Sequence, residues 1–79
     1  MADVTVRYWA GARSAAGLDE EQLQAASVHE VVAALSKRST KLAGVLALSS
    51  LLVDGRVVRT DAALADGQTL EVLPPFAGG

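Results

Sequence analysis

The chain begins with a segment in which apolar and polar residues alternate. Residues 4–9 read Val-Thr-Val-Arg-Tyr-Trp, and a period of two is typical of a β-strand with one buried face. We predict a first strand that turns Val4, Val6 and Tyr8 towards the core. The residues left on the opposite face are Thr5, Arg7 and Trp9.

A helix with clear boundaries is predicted further along. Ser27 and Glu30 have the spacing of a capping box, and Lys37 and Arg38 place positive charge at the other end, where the helix dipole favours it. The apolar stripe between them consists of Val28, Val31, Val32 and Leu35. Such a stripe must be buried against another layer, so the pattern predicts a helix packed on a sheet. A second, shorter helical segment is predicted over Thr40 to Leu48.

The second half of the chain shows two turns and a final strand. Asp54-Gly55 separates two short apolar runs, which is a strong hairpin signal because both central residues of such a turn prefer positive φ. We predict a helical turn over residues 62–64. Asp66-Gly67 then leads into a strand in which Leu70 and Val72 alternate with Glu71.

Two early segments are less regular. Residues 10–17 contain two glycines and small residues and predict a loop with room for one helical turn. For Leu18 to Ala25 the pattern is ambiguous, because Glu20, Glu21 and Gln22 favour helix on propensity alone.

Composition limits the function. The 79 residues allow one domain, there is no cysteine, and a single histidine cannot build a zinc site. A net charge of −2 argues against nucleic acid, and no apolar run is long enough to cross a membrane. We therefore expect a soluble, cytoplasmic protein.

Few side chains suggest catalysis. His29 has no carboxylate or cysteine partner at useful spacing, and adjacent Glu20 and Glu21 would point to opposite faces of a strand. The basic residues Lys37, Arg38 and Lys41 are most simply a solvated helix end, although they could also meet an acidic partner. Trp9 lies either at an interface or over a small secondary core.

The residues after the final strand have a distinctive order. Pro74 and Pro75 end ladder pairing, and Gly78 and Gly79 carry no side chains. An extended segment from Pro75 to Gly79 reaches roughly 15 Å, which is enough to place the Gly79 carboxylate in a narrow channel of another protein.

The ending from Leu73 to Gly79, read as Leu-Pro-Pro-Phe-Ala-Gly-Gly, resembles the MoaD/ThiS family of ubiquitin-like sulfur carriers. The resemblance implies an α+β, ubiquitin-like β-grasp fold: a mixed sheet with one main helix packed on one face and the first and last strands side by side. It also implies a second strand within Leu18 to Ala25, a domain of residues 1–75 and a flexible tail of residues 76–79.

The resemblance further implies a role for the tail in molybdopterin biosynthesis. A MoeB-like adenylating enzyme would use ATP and Mg²⁺ to activate the Gly79 carboxylate, and a sulfur donor protein would convert it to a thiocarboxylate. A MoaE-like large subunit, expected to form a heterotetramer with this chain, would supply the catalytic residues, so that this chain binds no cofactor. The residues expected to enter the partner's channel are Pro75, Phe76, Ala77 and Gly78. Those expected on the partner surface are Trp9, Arg13 and Leu73.

Three other functions remain open at this point. They are a sulfur carrier for thiazole or cysteine synthesis, a ubiquitin-like modifier joined to lysines through Gly79, and an interaction module with an inert tail.

Overall fold

The computed structural model describes residues 1–75. The elements in chain order are β1 (Ala2–Tyr8), α1 (Ala10–Ala16), β2 (Glu20–Ala25), α2 (Val28–Arg38), α3 (Thr40–Leu48), β3 (Ser50–Val53), β4 (Arg56–Val57) and β5 (Thr69–Leu73). The five strands form one sheet in the order β2-β1-β5-β3-β4.

The sheet is mixed, and its last strand lies in the middle. β5 runs parallel to β1, with Val6 opposite Leu70, and antiparallel to β3, with Leu51 opposite Val72. β2 and β4 are the edge strands, each antiparallel to its neighbour. The predicted adjacency of the first and last strands is confirmed, as is the α+β fold of a sheet with its main helix on one face.

The core lies between the sheet and the helices. Val4, Val6 and Tyr8 are each no more than 1% exposed, which confirms the predicted inward face of β1. The buried residues of the helices that meet them are Ala12, Val28, Val31, Leu35, Leu42 and Leu46. Apolar burial of this kind is the dominant stabilising contribution in a small domain.

Both longer helices begin at a serine cap. The hydroxyl of Ser27 accepts a hydrogen bond from the Glu30 amide at 3.3 Å, and the Glu30 carboxylate accepts one from the Ala26 amide at 3.0 Å, one residue before the cap. Ser39 caps α3 in the same way, through the Leu42 amide at 3.1 Å. The predicted start of α2 is therefore confirmed, because a polar side chain satisfies an amide that the helix leaves unpaired.

The hairpin prediction is also confirmed. Asp54 and Gly55 have φ values of 53° and 79° between β3 and β4, the pair of left-handed conformations that a tight two-residue turn requires. The strand expected within Leu18 to Ala25 is present as β2, which begins at Glu20.

Two local predictions were wrong. Residues 10–16 form a complete short helix instead of a loop, because Ala12 is fully buried and Gly17, with φ of 81°, closes the last turn. Residues 62–64 do not form a helical turn. Ala63 makes a β-bridge with Ser27, and the Leu64 amide donates to the Ala26 carbonyl at 2.9 Å, so this segment is extended along the chain that precedes α2.

Candidate functional site

The face of the sheet that carries no helix is called the outer face below. Its central row, read across the strands from their register, runs from an acidic edge to an apolar edge. The residues of that row are Glu20, Arg7, Glu71, Leu52 and Val57. Side chains directly opposite one another on neighbouring strands share a face, so the register assigns these five residues to one face. The burial of their neighbours Tyr8 and Val72 shows that this face lies away from the helices.

Apolar side chains gather at one end of the outer face. Trp9, Leu52 and Leu73, together called the apolar corner, line a hollow of about 270 Å³ with Glu71 as its polar wall. Leu73 is 37% exposed, and Trp9 and Leu52 are half-buried. Trp9 and Leu73, both expected on a partner surface, lie together here, and Leu52 joins them without having been predicted.

Two charged residues hold the Trp9 ring. Its indole N–H donates to the Glu71 carboxylate at 3.2 Å, and the Arg7 guanidinium carbon lies 5.1 Å from the ring centre, within the range of a cation–π contact. Arg7 and Glu71 are direct neighbours across β1 and β5. The indole edge and face are thus both contacted by this pair, which fixes the wall of the hollow.

The chain leaves the sheet beside this corner. β5 ends at Leu73, Pro74 is half-buried, and Pro75 is exposed. The residues predicted to follow Pro75 into a partner's channel, together with the chemically active terminus, lie outside the described residues and stay predictions. They are Phe76, Ala77, Gly78 and Gly79.

Arg13 is not part of the apolar corner. It lies on the exposed side of α1, and its guanidinium forms an ion pair with Asp19 at 3.1 Å. Both side chains are more than half exposed, and such pairs contribute little to stability. The role of Arg13 at a partner surface stays a prediction.

A polar cluster on the helix side was not foreseen. The buried Tyr8 hydroxyl donates to the Glu21 carboxylate at 2.6 Å, and the Arg38 guanidinium donates to both oxygens of the same carboxylate, one of them at 2.7 Å. Arg38 therefore links α2 to β2, while Lys37 and Lys41 are exposed. No pattern within one element reveals such a cluster, because its members are 13 and 17 residues apart.

The cluster also shifts the ionisation of its members. Hydrogen bonds from Arg38 hold the pKa of the Glu21 carboxyl below its usual value, against an opposing effect of burial. Burial, followed by the bond to Glu21, raises the pKa of the Tyr8 hydroxyl above its usual value. Each shift favours the protonation state that completes the network.

The described part of the chain offers little else for chemistry. Over residues 1–75, no group of histidine, cysteine, aspartate or glutamate side chains is arranged to hold a metal ion. No helix in this same stretch is long and apolar enough to cross a membrane. His29 is exposed at the start of α2, and Glu20 and Glu21 point to opposite faces of β2, as predicted.

Comparison with known proteins adds three kinds of relative. The model of the ThiS family matches residues 6–79. A putative molybdopterin converting factor subunit 1 from Pyrococcus furiosus is 31% identical, with a TM-score of 0.85 and coverage of 95% of this chain and 99% of that one. The small archaeal modifier protein 1 from Methanosarcina acetivorans is 27% identical, with a TM-score of 0.86 and coverage of 100% and 98%.

A more distant structure shows the fold alone. It is the complex of subunits 1 and 2 of the molybdopterin-converting factor from Helicobacter pylori, in which the matching chain is 22% identical, with a TM-score of 0.77 and coverage of 98% and 99%. No curated protein sequence matches this chain.

Proposed function

The chain belongs to the ThiS family, and from that membership we propose that it is a sulfur carrier of molybdopterin biosynthesis. Its Gly79 carboxylate is adenylated, converted to a thiocarboxylate and used to donate sulfur to a pterin precursor. The chain is the small, non-catalytic subunit of this system, and it works in the cytoplasm.

The observation that carries the proposal is the position of the apolar corner. The corner lies where β5 ends, so a partner that covers Trp9 and Leu73 is also at the origin of the segment that ends in Gly79. A half-buried tryptophan among apolar side chains is typical of the core of an interface, where aromatic residues are enriched. The 31% identity to a putative molybdopterin converting factor subunit 1, over nearly the whole of both chains, supports the same pathway.

The proposed chemistry takes place at one carboxylate. An oxygen of the Gly79 carboxylate attacks the α-phosphate of ATP in a MoeB-like enzyme with Mg²⁺, and pyrophosphate leaves. A sulfur donor protein then supplies the sulfur that replaces AMP on the carbonyl carbon. Gly78 and Gly79 suit a narrow channel because neither carries a Cβ.

The proposed acceptor is a MoaE-like large subunit, with which the chain forms a heterotetramer. Pro75, Phe76 and Ala77 would occupy that subunit's channel. The structure solved from Helicobacter pylori is a complex of subunits 1 and 2 of the molybdopterin-converting factor, and this supports a large-subunit partner.

The second candidate is a protein modifier. The small archaeal modifier protein 1 from Methanosarcina acetivorans is 27% identical over the whole of this chain, and the same activated Gly79 would serve to modify lysines on other proteins. Lysine-linked conjugates in cells that express the chain would favour this function over the carrier, whose sulfur product is released without a conjugate. Carriers of the thiazole and cysteine pathways would be distinguished by the acceptor that takes the sulfur.

The experiment that tests the carrier is an intact-mass measurement. The protein is incubated with ATP, Mg²⁺, a MoeB-type enzyme and a sulfide source, and we expect a mass gain equal to the replacement of one oxygen by sulfur, mapped to Gly79. A double variant, Gly78→Ala with Gly79→Ala, should lose this gain while folding normally. An unchanged mass, with the enzyme active on a known carrier, would contradict the proposal.

A further inference from the structure

We propose that the apolar corner docks a basic segment of its partner, with an apolar side chain in the hollow and a lysine or arginine paired with Glu71. This inference rests on the proposed function, because it takes the partner to be the large, subunit-2-type protein. It adds the chemical character of the partner surface, which neither the family nor the neighbours state.

The size and lining of the hollow suit an apolar side chain as its occupant. At about 270 Å³ it is smaller than the roughly 300–1,000 Å³ typical of pockets for small molecules and cofactors. Three of its four lining residues, Trp9, Leu52 and Leu73, are apolar. A leucine, methionine or aromatic side chain from another protein fits both the volume and the polarity.

The charge of the outer face selects a basic neighbour for that side chain. The strand register places three carboxylates, those of Asp3, Glu20 and Glu71, on this face against one guanidinium, that of Arg7. Asp3 accepts a hydrogen bond from Gln24, and this does not neutralise its charge. A negative surface favours a positive partner and disfavours an acidic one.

Glu71 has unused capacity to accept hydrogen bonds. A carboxylate offers about four acceptor positions, and within residues 1–75 the Trp9 indole is the one side-chain donor that reaches it. Arg7 lies over the Trp9 ring and forms no ion pair with Glu71 in this part of the chain. The carboxylate therefore stands at the wall of the hollow, ready to accept from a cation beside the inserted side chain.

The same contacts make the corner a preformed binding surface. Because Glu71 and Arg7 already fix the indole, docking does not have to order it, and the entropic cost of binding is lower. A preformed aromatic wall is the kind of position at which a few residues dominate binding.

The test compares two variants that each remove one negative charge. Glu71→Gln keeps an oxygen that can accept from the Trp9 indole but removes the charge. Asp61→Asn removes a charge from the exposed loop after β4, where Asp61 faces Arg59 at 3.6 Å. Trp9 is the only tryptophan, so its indole N–H gives a single ¹⁵N NMR signal that reports on the corner during titration with the subunit-2-type protein of the same organism.

We expect Glu71→Gln to weaken binding about threefold to tenfold at low salt and Asp61→Asn to change it less than twofold. The difference should shrink at high salt, because the ions screen the pair, and Glu71→Lys should weaken binding more than Glu71→Gln. In both neutral variants the indole signal of the free protein should stay close to that of the wild type.

Three results would overturn the inference. One is equal binding by Glu71→Gln and Asp61→Asn, another is binding that leaves the Trp9 signal unchanged, and the third is no binding by the wild type. In each case the mass gain at Gly79 tests the carrier function separately. A chain that is thiocarboxylated but docks without Glu71 would keep its proposed function, and only the inference about the basic partner segment would be wrong.

Discussion

The two faces of the sheet are built from the same strands and have different roles. In β1, Val4, Val6 and Tyr8 are buried under the helices, whereas Arg7 and Trp9 alternate with them on the outer face. The inner face meets helices of its own chain. Within residues 1–75 the outer face has no such layer, yet it carries an apolar corner whose aromatic ring is contacted by two charged residues.

The difference separates the residues that serve folding from the candidates for recognition. A domain of this size has a thin stability margin, and its inner face supplies the burial. An apolar cluster that residues 1–75 leave partly exposed contributes less to that margin and is a candidate interaction site. Three leucines in different surroundings make the comparison quantitative, because the same truncation to alanine removes the same atoms from each.

The largest effect is expected on the inner face. Leu35→Ala removes a side chain that is 1% exposed and should lower the free energy of unfolding by about 2–5 kcal/mol, measured by urea denaturation. Leu48→Ala, at a leucine that is 72% exposed, is the control and should change it by no more than about 0.5 kcal/mol. Equal losses in the two variants would contradict the assignment of the core.

The next effect is expected at the apolar corner. Leu73→Ala should weaken binding of the large subunit about fivefold to thirtyfold, as expected for a residue at the centre of an interface, because it opens the hollow beside Trp9. Calorimetric titration measures the affinity, and Leu48→Ala again serves as the control. A Leu73→Ala variant that binds as tightly as the wild type would show that the apolar corner does not contribute to docking.

A smaller effect is expected from the tyrosine of the polar cluster. Tyr8→Phe keeps the buried ring but removes the hydroxyl that donates to Glu21, and it should cost about 0.5–1.5 kcal/mol at neutral pH. Because the pKa of Tyr8 is raised in the folded state, this stabilisation is complete below the unfolded pKa of about 10 and is lost as the pH rises beyond it.

Unfolding measured at pH 7 and pH 11 tests whether the stabilisation by the Tyr8 hydroxyl decreases as the pH rises. The stability difference between the wild type and Tyr8→Phe should be smaller at the higher pH. Tyr8 is the only tyrosine, so its tyrosinate absorbance in the native protein should also appear above the usual pH. Ionisation at the usual pH would argue against the buried hydrogen bond.

The smallest effect is expected from Glu21, in the dependence of stability on low pH. Glu21 has a lowered pKa in the folded state, so its contribution is present above the unfolded pKa of about 4.3 and is lost as the pH falls through the folded value. Glu21→Gln should therefore be less stable than the wild type at pH 7, and the two should converge at low pH. Glu20→Gln, at the exposed neighbouring position on β2, is the matched control, because its carboxylate takes no part in the hydrogen bonds among Tyr8, Glu21 and Arg38.

Features that depend on residues close together in the sequence were predictable, and features that depend on distant residues were not. The faces of β1, the Ser27 cap and the Asp54-Gly55 turn follow from neighbours within four residues, and all were confirmed. The pairing of first and last strands came only through the resemblance to a family, since no local pattern specifies it.

What could not be predicted depends on contacts that the folded chain creates. α1 was missed because its helix is favoured by the burial of one small residue, Ala12, and not by an apolar stripe. Arg38 was interpreted as a solvated charge because its partner, Glu21, lies on another element. At the apolar corner, Trp9 and Leu73 were anticipated, whereas Leu52 and Glu71 required the register of β5 between its two neighbours.

The central position of β5 has a mechanical consequence. A partner that holds the chain beyond Leu73 pulls on a strand that is hydrogen-bonded to β1 on one side and to β3 on the other. A pull along the strand loads both ladders in shear, so hydrogen bonds on both sides of β5 resist it, whereas an edge strand would be held by one ladder. A force applied to the chain beyond Leu73 is therefore resisted by the whole sheet.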